Sequence, residues 1–133
     1  MTCRLWLALL LCWTVAAVPL RAKDGDTVVV RAYVWPSGVK GSPVSVPETI
    51  RALGVNAPEL HKAASRAAGQ AAWEYTIHWL ALDGPRAEDL TVTVCSEERD
   101  AFGRLLGRIT RVRDGADLAA DLVRDGHAVP FKP

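Results

Sequence analysis

Valine-rich, partly alternating stretches separated by short turn signals are the clearest pattern along this chain. The stretch 27–34 predicts a strand that begins after an Asp-Gly-Asp turn at 24–26. A second stretch of strand character covers 44–55, and Pro58 ends it because proline cannot pair inside a sheet. The residues 35–43 between the two strands are rich in glycine, serine and proline and are predicted to form a loop.

The period of the apolar residues changes to three and four within 62–82. One face of a helix of about five turns is predicted there, and its members are Ala64, Ala68, Ala71, Tyr75, Trp79 and Leu82. An Asp-Gly-Pro sequence at 83–85 ends this helix. Tryptophans on such a face more often belong to the core than to a binding surface.

The last third of the chain returns to strands and closes with a short helix. Strands are predicted at 90–95 and 105–112, with a turn at 100–103 between them. Asp117 is predicted to cap a helix at 118–124, which a glycine then ends. Five or so short strands, with a helix inserted between the third and the fourth, indicate a mainly β fold with helices: a small closed barrel of the OB type.

The first residues differ in composition from the rest. Residues 1–4 carry one positive charge, and 5–18 are almost wholly apolar. This run is shorter than the ~20 residues that cross a bilayer, and together with the small residues that follow it predicts a secretory signal peptide. We expect cleavage after Ala17, which leaves one domain at 18–133, secreted or periplasmic, with no stable membrane insertion. The alternative interpretation of this stretch is an N-terminal core strand.

Composition and charge narrow the function classes. The chain of 133 residues is 50% hydrophobic and 23% charged, which is typical of a globular domain. Removing 1–17 takes Arg4 from the 16 basic residues and leaves 15 basic against 15 acidic. The net charge of zero predicts that a polyanion is bound by a local site rather than by a general positive field. Cys3 and Cys12 leave with the same segment, so Cys95 is predicted to be a buried thiol without an intrachain disulfide.

Acidic, amide and guanidinium groups gather at the predicted strand ends and turns. Asp26 begins one strand, Asn56 ends another, and Glu59 follows after a proline bend. Calcium binds carboxylate, amide and backbone oxygens together, so neighbouring strands would let Asp26 and Asn56 face one ion. Glu59 is then placed to orient and deprotonate a water. Arg51 and Arg104 carry the guanidinium groups that match phosphate oxygens. Taken singly, each of these residues can also be an ordinary turn former or a solvated side chain.

Four segments in this order resemble the signature of the staphylococcal-nuclease (thermonuclease-like) family. They are Asp-Gly-Asp-Thr at 24–27, the stretch 50–59 from Ile-Arg to Asn-Ala-Pro-Glu, Phe-Gly-Arg at 102–104, and Leu-Val-Arg-Asp-Gly-His-Ala at 122–128. The resemblance covers nearly all of the chain after the apolar start. It implies a five-stranded OB barrel with helices and a calcium-dependent cleavage of DNA and RNA phosphodiester bonds.

The resemblance also implies a role for each matching residue. These roles are calcium ligands for Asp26, Asn56 and the backbone carbonyl of Ala57, general base for Glu59, and phosphate-binding electrophiles for Arg51 and Arg104. Three positions depart from the family pattern. Asn56 replaces an aspartate and removes one negative charge from the ion, and Phe102 stands where a tyrosine is common. The chain stops at Pro133, so the family's last helix is expected to be short or missing.

We therefore expect a monomeric endonuclease, a phosphodiester hydrolase that acts on nucleic acid with Ca²⁺ as its cofactor. The competing hypothesis is an OB module that binds single strands or a protein partner without cleaving. Asn56 and the neutral net charge favour that module, whereas the retained Arg51, Glu59 and Arg104 disfavour it. A structural cell-surface domain would leave the charged turn residues unexplained. The three histidines lack the spacing of a metal site.

Overall fold

The computed structural model describes residues 13–33, 45–84 and 90–132. The elements in chain order are the strands β1 (Trp13–Asp24), β2 (Thr27–Tyr33), β3 (Ser45–Ala52) and β4 (Val55–Asn56), a 3₁₀ turn (Ala63–Ser65), the helix α1 (Arg66–Trp79), the strands β5 (Val92–Arg99) and β6 (Leu105–Arg111), the helix α2 (Leu118–Arg124) and the strand β7 (Val129–Pro130). Within these residues, neither helix has the length and apolar character that a membrane span requires.

In the described part of the chain, five strands form a closed barrel in the order β1-β2-β3-β6-β5. All neighbours are antiparallel except β3 and β6, which run parallel with Ile50 opposite Leu105. The barrel interior is filled largely by buried β-branched residues of β2, β3, β5 and β6, among them Val28, Val92 and Ile109. The predicted mainly β fold, a small closed barrel of the OB type with a helix between its third and fourth strands, is confirmed.

The helix α1 begins later and ends earlier than predicted, and only the C-terminal half of its predicted apolar face packs against the core. Ala64, Ala68 and Ala71 of the predicted apolar face are exposed. The buried residues of α1 are Gly69, Ala72, Thr76 and, from the predicted face, Trp79. Tyr75 and Leu82 of the predicted face are partly buried against the core. Alanine is only weakly hydrophobic, so periodicity alone does not distinguish two neighbouring stripes of small residues. The stripe that faces inward is the one that permits the closest approach to the backbone beneath it.

The predicted ends of two strands are wrong, whereas the predicted bounds of the second helix are correct. β3 ends at Ala52, and Gly54 with φ of 83° turns the chain into β4, which pairs with β7. β5 continues to Arg99, beyond its predicted end at 95. The helix α2 has its predicted bounds, because the Asp117 side chain caps it by accepting from the Ala120 N–H at 3.0 Å. The predicted loop at 35–43 lies outside the described residues.

The strand β1 covers the end of the predicted signal peptide. Its first five residues, 13–17, provide every pair with β5, from Trp13 opposite Ser96 to Ala17 opposite Val92. Ala17 is fully buried. The alternative interpretation of this stretch as a strand therefore describes what 13–17 form in the structure. Cleavage after Ala17 stays a prediction, and it would remove the strand segment that closes the barrel; residues 1–12 lie outside the described part.

Cys95 lies half-buried on β5 and is disulfide-bonded. The prediction of a buried thiol without an intrachain disulfide is therefore wrong. It rested on removing Cys3 and Cys12 with the predicted signal peptide.

Candidate active site

The turn between β1 and β2 carries Asp26 and is held against the helix α1. The Thr76 hydroxyl donates to the Gly25 carbonyl at 2.6 Å. A Cβ on Gly25 would lie 2.7 Å from the Cβ of Ala72, so the turn approaches the helix as closely as a glycine allows. On the other side, the Ala52 N–H at the end of β3 donates to the Asp26 carbonyl at 2.8 Å. The backbone of Asp26 is thus fixed from two directions.

The segment after β4 carries Glu59 and rests on the first turn of the same helix. The Ser65 hydroxyl donates to the Glu59 carbonyl at 3.0 Å, and the Leu60 N–H donates to the Asp24 carboxylate at 3.4 Å. A Cβ on Gly69 would lie 2.7 Å from the Glu59 carbonyl oxygen. The helix therefore touches both site-bearing segments and sets the distance between them.

The Asp26 carboxylate stands at the centre of a cluster of polar groups and is itself nearly buried, with 6% of its side chain exposed. Its Oδ2 lies 2.7 Å from Nη1 of Arg51 and accepts from the Ala57 N–H at 2.7 Å. The Thr27 hydroxyl donates to Oδ1 at 3.1 Å. Nη2 of Arg51 donates to the side-chain oxygen of Asn56 at 3.2 Å. Of the residues predicted as calcium ligands, Asp26 and Asn56 therefore both contact the guanidinium of Arg51, whereas Ala57 contacts Asp26 through its N–H.

Glu59 and Arg104 line one open cavity of ≈ 560 Å³. Other residues of its wall include Lys23, Glu48, Thr49 and Phe102. On β3, Thr49 and Arg51 alternate with the buried Ile50, so both point away from the barrel core. The cavity and the cluster around Asp26 therefore adjoin each other along β3.

The Arg104 side chain is oriented by Asp100 at the start of its own turn. One oxygen of Asp100 accepts from the backbone N–H groups of Phe102 at 2.9 Å and of Arg104 at 3.0 Å, and the other accepts from Nε of Arg104 at 2.7 Å. Desolvation raises the pKa of the Asp100 carboxyl, but the hydrogen bonds from Arg104 and Phe102 outweigh it, and the pKa lies below its ordinary value. Because the contact uses Nε, it leaves the Nη edge of the guanidinium to face a phosphate.

A second ion pair ties this turn to β3. Arg99 forms two hydrogen bonds with the Glu48 carboxylate, at 2.7 and 3.0 Å, and donates to the Gly103 carbonyl at 2.9 Å. The sequence analysis missed Lys23, Glu48, Arg99 and Asp100. Only Asp100 had a local signal, an aspartate in a turn four residues before an arginine. The partners Arg99 and Glu48 are 51 residues apart, and no local pattern links them.

The donor set at Asp26 has the chemistry of a hard-cation site. The described residues contain no group of three or more His, Cys, Asp and Glu side chains that could hold a metal ion. The predicted set does not depend on such a group, because it consists of one carboxylate, the amide oxygen of Asn56 and the carbonyl of Ala57. These are the oxygen types that calcium binds. They fit such an ion on the condition that the Arg51 guanidinium leaves the space between Asp26 and Asn56.

Comparison with known proteins adds no relative. No protein-family model matches the chain, and no curated protein matches it. The class that fold and site together define is an OB-type barrel with an aspartate–arginine–asparagine cluster beside a cavity lined by a carboxylate and an arginine. Membership of the staphylococcal-nuclease family stays a prediction.

Proposed function

We propose that the chain is a nuclease of the staphylococcal-nuclease kind, which hydrolyses phosphodiester bonds of DNA or RNA and uses Ca²⁺. One observation carries the proposal. The residues that the sequence resemblance singles out come from separate segments, yet they collect at adjoining places on one barrel. The contacting group is Asp26, Arg51, Asn56 and Ala57, and the residues lining the cavity are Glu59 and Arg104.

The oxygens of Asp26, Asn56 and Ala57 would hold the cation. A cation bound there supplies a Lewis acid that polarises a phosphate oxygen. A single carboxylate gives weaker calcium binding than two, because affinity in oxygen sites rises with ligand charge. We therefore expect activity to require more calcium than a site with two aspartates would.

The chain's own residues provide the proton transfer and the phosphate binding. Glu59, with 46% of its side chain exposed, accepts the proton of the attacking water while the water oxygen bonds to phosphorus and the bond from phosphorus to the leaving oxygen breaks. Its ion pair with Lys62 is long, at 3.5 Å, and exposed, so it holds the carboxylate only weakly. Arg51 and Arg104 bind the phosphate oxygens and stabilise the charge that develops on them.

The proposal extends to where and how the protein acts. Export to the periplasm or the extracellular space, predicted from the apolar start, would give it access to nucleic acid outside the cytoplasm, on the condition that processing keeps the strand residues 13–17 that pair with β5. An open cavity rather than a closed one suits a polymeric substrate that enters from the side. A monomer is sufficient, because every proposed site residue belongs to one chain.

A plasmid-nicking and oligonucleotide-cleavage assay tests the function, with Ca²⁺ or with a chelator. We expect cleavage only with the cation, and a loss of ~10²-fold or more in turnover for Arg51→Ala and for Arg104→Ala. Arg108→Ala, at an exposed position on β6, is the matched control and should cleave like the wild type. Circular dichroism verifies that all three variants are folded. Equal cleavage rates for the three variants would show that Arg51 and Arg104 have no role in the reaction. Cleavage in the presence of the chelator would show that the reaction needs no cation.

A second candidate is a binding module that holds single-stranded nucleic acid without cutting it. The observation in its favour is that Arg51 satisfies both Asp26 and Asn56, so the cluster is complete without a cation. Fluorescence anisotropy with a labelled single strand in chelator measures this binding. Binding in chelator together with intact substrate at high calcium would favour the module over the nuclease.

A further inference from the structure

Arg51 lies where the proposed cation would have to lie. Its Nη1 is 2.7 Å from the Asp26 carboxylate, and its Nη2 donates to the Asn56 side-chain oxygen at 3.2 Å. One guanidinium therefore engages two of the three proposed calcium ligands at once. We infer that Arg51 is an internal cation that competes with the divalent ion, which binds only when this side chain moves out; the inference rests on the proposed cation site.

Burial makes the competition direct. The side chains of Arg51 and Asp26 are 16% and 6% exposed. A carboxylate so far removed from water needs a positive partner and hydrogen bonds, and it receives both, from the guanidinium and from the Ala57 N–H at 2.7 Å. A divalent ion that binds Oδ2 takes over this role by displacing the guanidinium from that oxygen.

The charge balance points the same way. The contacting cluster contains one negative charge, on Asp26, because Asn56 is neutral. Arg51 already compensates that charge, and a divalent ion beside a retained guanidinium would leave a large positive excess at a poorly solvated place. Because asparagine replaces the aspartate of the family pattern at position 56, the guanidinium of Arg51 alone neutralises the cluster and competes with a divalent ion for it.

The displaced side chain has a place to go. Arg51 points away from the core on the same face of β3 as Thr49, which lines the adjoining cavity. An outward rotation of the long arginine side chain places its guanidinium at the cavity where a substrate phosphate would bind. The same residue would thus close the cation site in the resting protein and bind phosphate in the working one.

Calorimetric titration with Ca²⁺ alone, on metal-free full-length protein without nucleic acid, tests the inference. We expect Arg51→Met to bind calcium at least about tenfold more tightly than the wild type, a modest part of the decades over which ligand charge tunes such sites. Arg104→Met is the matched control. It removes the same charge from the cavity wall without touching Asp26 or Asn56, and should change the affinity by less than about threefold. Equal effects of the two variants, or weaker binding by Arg51→Met, would overturn the inference.

A measurement on the wild-type chain guards against an Arg51→Met variant that fails to fold. In ¹⁵N NMR spectra, the side-chain Nε signal of Arg51, assigned by its absence from Arg51→Lys, should shift as calcium saturates, while that of Arg31 stays in place. Arg31 is a suitable reference because its hydrogen bond goes to Ser45 on the neighbouring strand. An Arg51 signal that does not move at calcium saturation would contradict the displacement.

The results separate this inference from the proposed function. If the wild-type protein cleaves in a calcium-dependent way but its Arg51 signal does not shift with calcium, the proposed nuclease function is supported. The inferred competition between Arg51 and calcium is then wrong. Tight calcium binding by Arg51→Met, together with a wild type that cleaves nothing at any calcium concentration, would support the competition and reject the nuclease.

Discussion

Gly69 on the helix α1 gives a direct test of how the site is positioned. A Cβ at this residue would lie 2.7 Å from the Glu59 carbonyl oxygen and 2.8 Å from its carbonyl carbon, whereas ordinary contacts begin at 3.4 Å. Both atoms belong to the backbone and cannot rotate away as a flexible side chain would. Gly69→Ala must therefore push the helix and the Glu59 segment apart by about 0.7 Å, the difference between 3.4 and 2.7 Å.

Two effects on the free energy of unfolding oppose each other in this variant. Alanine gains about 1 kcal/mol of helix propensity over glycine, while overpacking costs ~1–3 kcal/mol. The net change is therefore small, about 0–2 kcal/mol of destabilisation. The effect on cleavage is expected to be much larger, because misplacing a catalytic group by ~1 Å can cost about 10²-fold in rate.

Thermal unfolding and the cleavage rate, measured on the same preparations, separate the two effects. Ala68→Gly is the control, since residue 68 is the exposed neighbour on the same helix, and removing its Cβ changes the helix propensity without adding an atom near Glu59. It should lose about 1 kcal/mol of stability and keep its activity. A Gly69→Ala protein that is more stable than the wild type and cleaves equally fast would refute the reasoning from close contact.

Two further predictions concern the N-terminal strand and the alkaline limit of the fold. Deleting 1–17 should abolish cooperative thermal unfolding, because it removes every β1–β5 pair, whereas deleting 1–12 should preserve it. Both deletions remove the same cysteines, so similar melting curves would show that 13–17 are dispensable. Burial, and then a hydrogen bond to Asp125, raises the pKa of Tyr75 from 10.0 to about 12. The neutral phenol therefore stabilises the fold fully below pH 10, and this contribution is lost as the pH rises through about 12. In Tyr75→Phe, the free energy of unfolding should depend less on pH across that window than it does in the wild type. Denaturant unfolding at a series of alkaline pH values measures this, and the same decline in both proteins would contradict the prediction.

Local chemistry determined which features the sequence could predict. The cap at Asp117 and the turn that carries Asp26 depend on residues within a few positions, and both lie where the pattern places them. The strand at 13–17 was not separable from a signal peptide, because a short apolar run is compatible with both. The hydrophobicity of the segment does not show which strand it pairs with, and it does not show whether the segment is cleaved.

The candidate site shows the same division between local and distant information. Residue types together with the family resemblance singled out Asp26, Arg51 and Asn56 as candidates, but did not reveal the contact among them. That contact depends on the register in which Thr27 pairs with Arg51, and on a turn into β4 that periodicity did not reveal. The link from Glu48 to Arg99 likewise exists only once β3 and β5 belong to the same closed barrel.

The seam between β1 and β5 also governs the order in which the barrel can assemble. Ala17 pairs with Ala32 on one side, 15 residues away, and with Val92 on the other, 75 residues away. The hairpin partner is available early, whereas the second partner costs a far larger loop closure. During synthesis, the open edge of β1 must wait until β5 has emerged. An unpaired apolar edge is a template for another chain, so we expect exchange of this strand between two copies to be a route of misassembly for this fold.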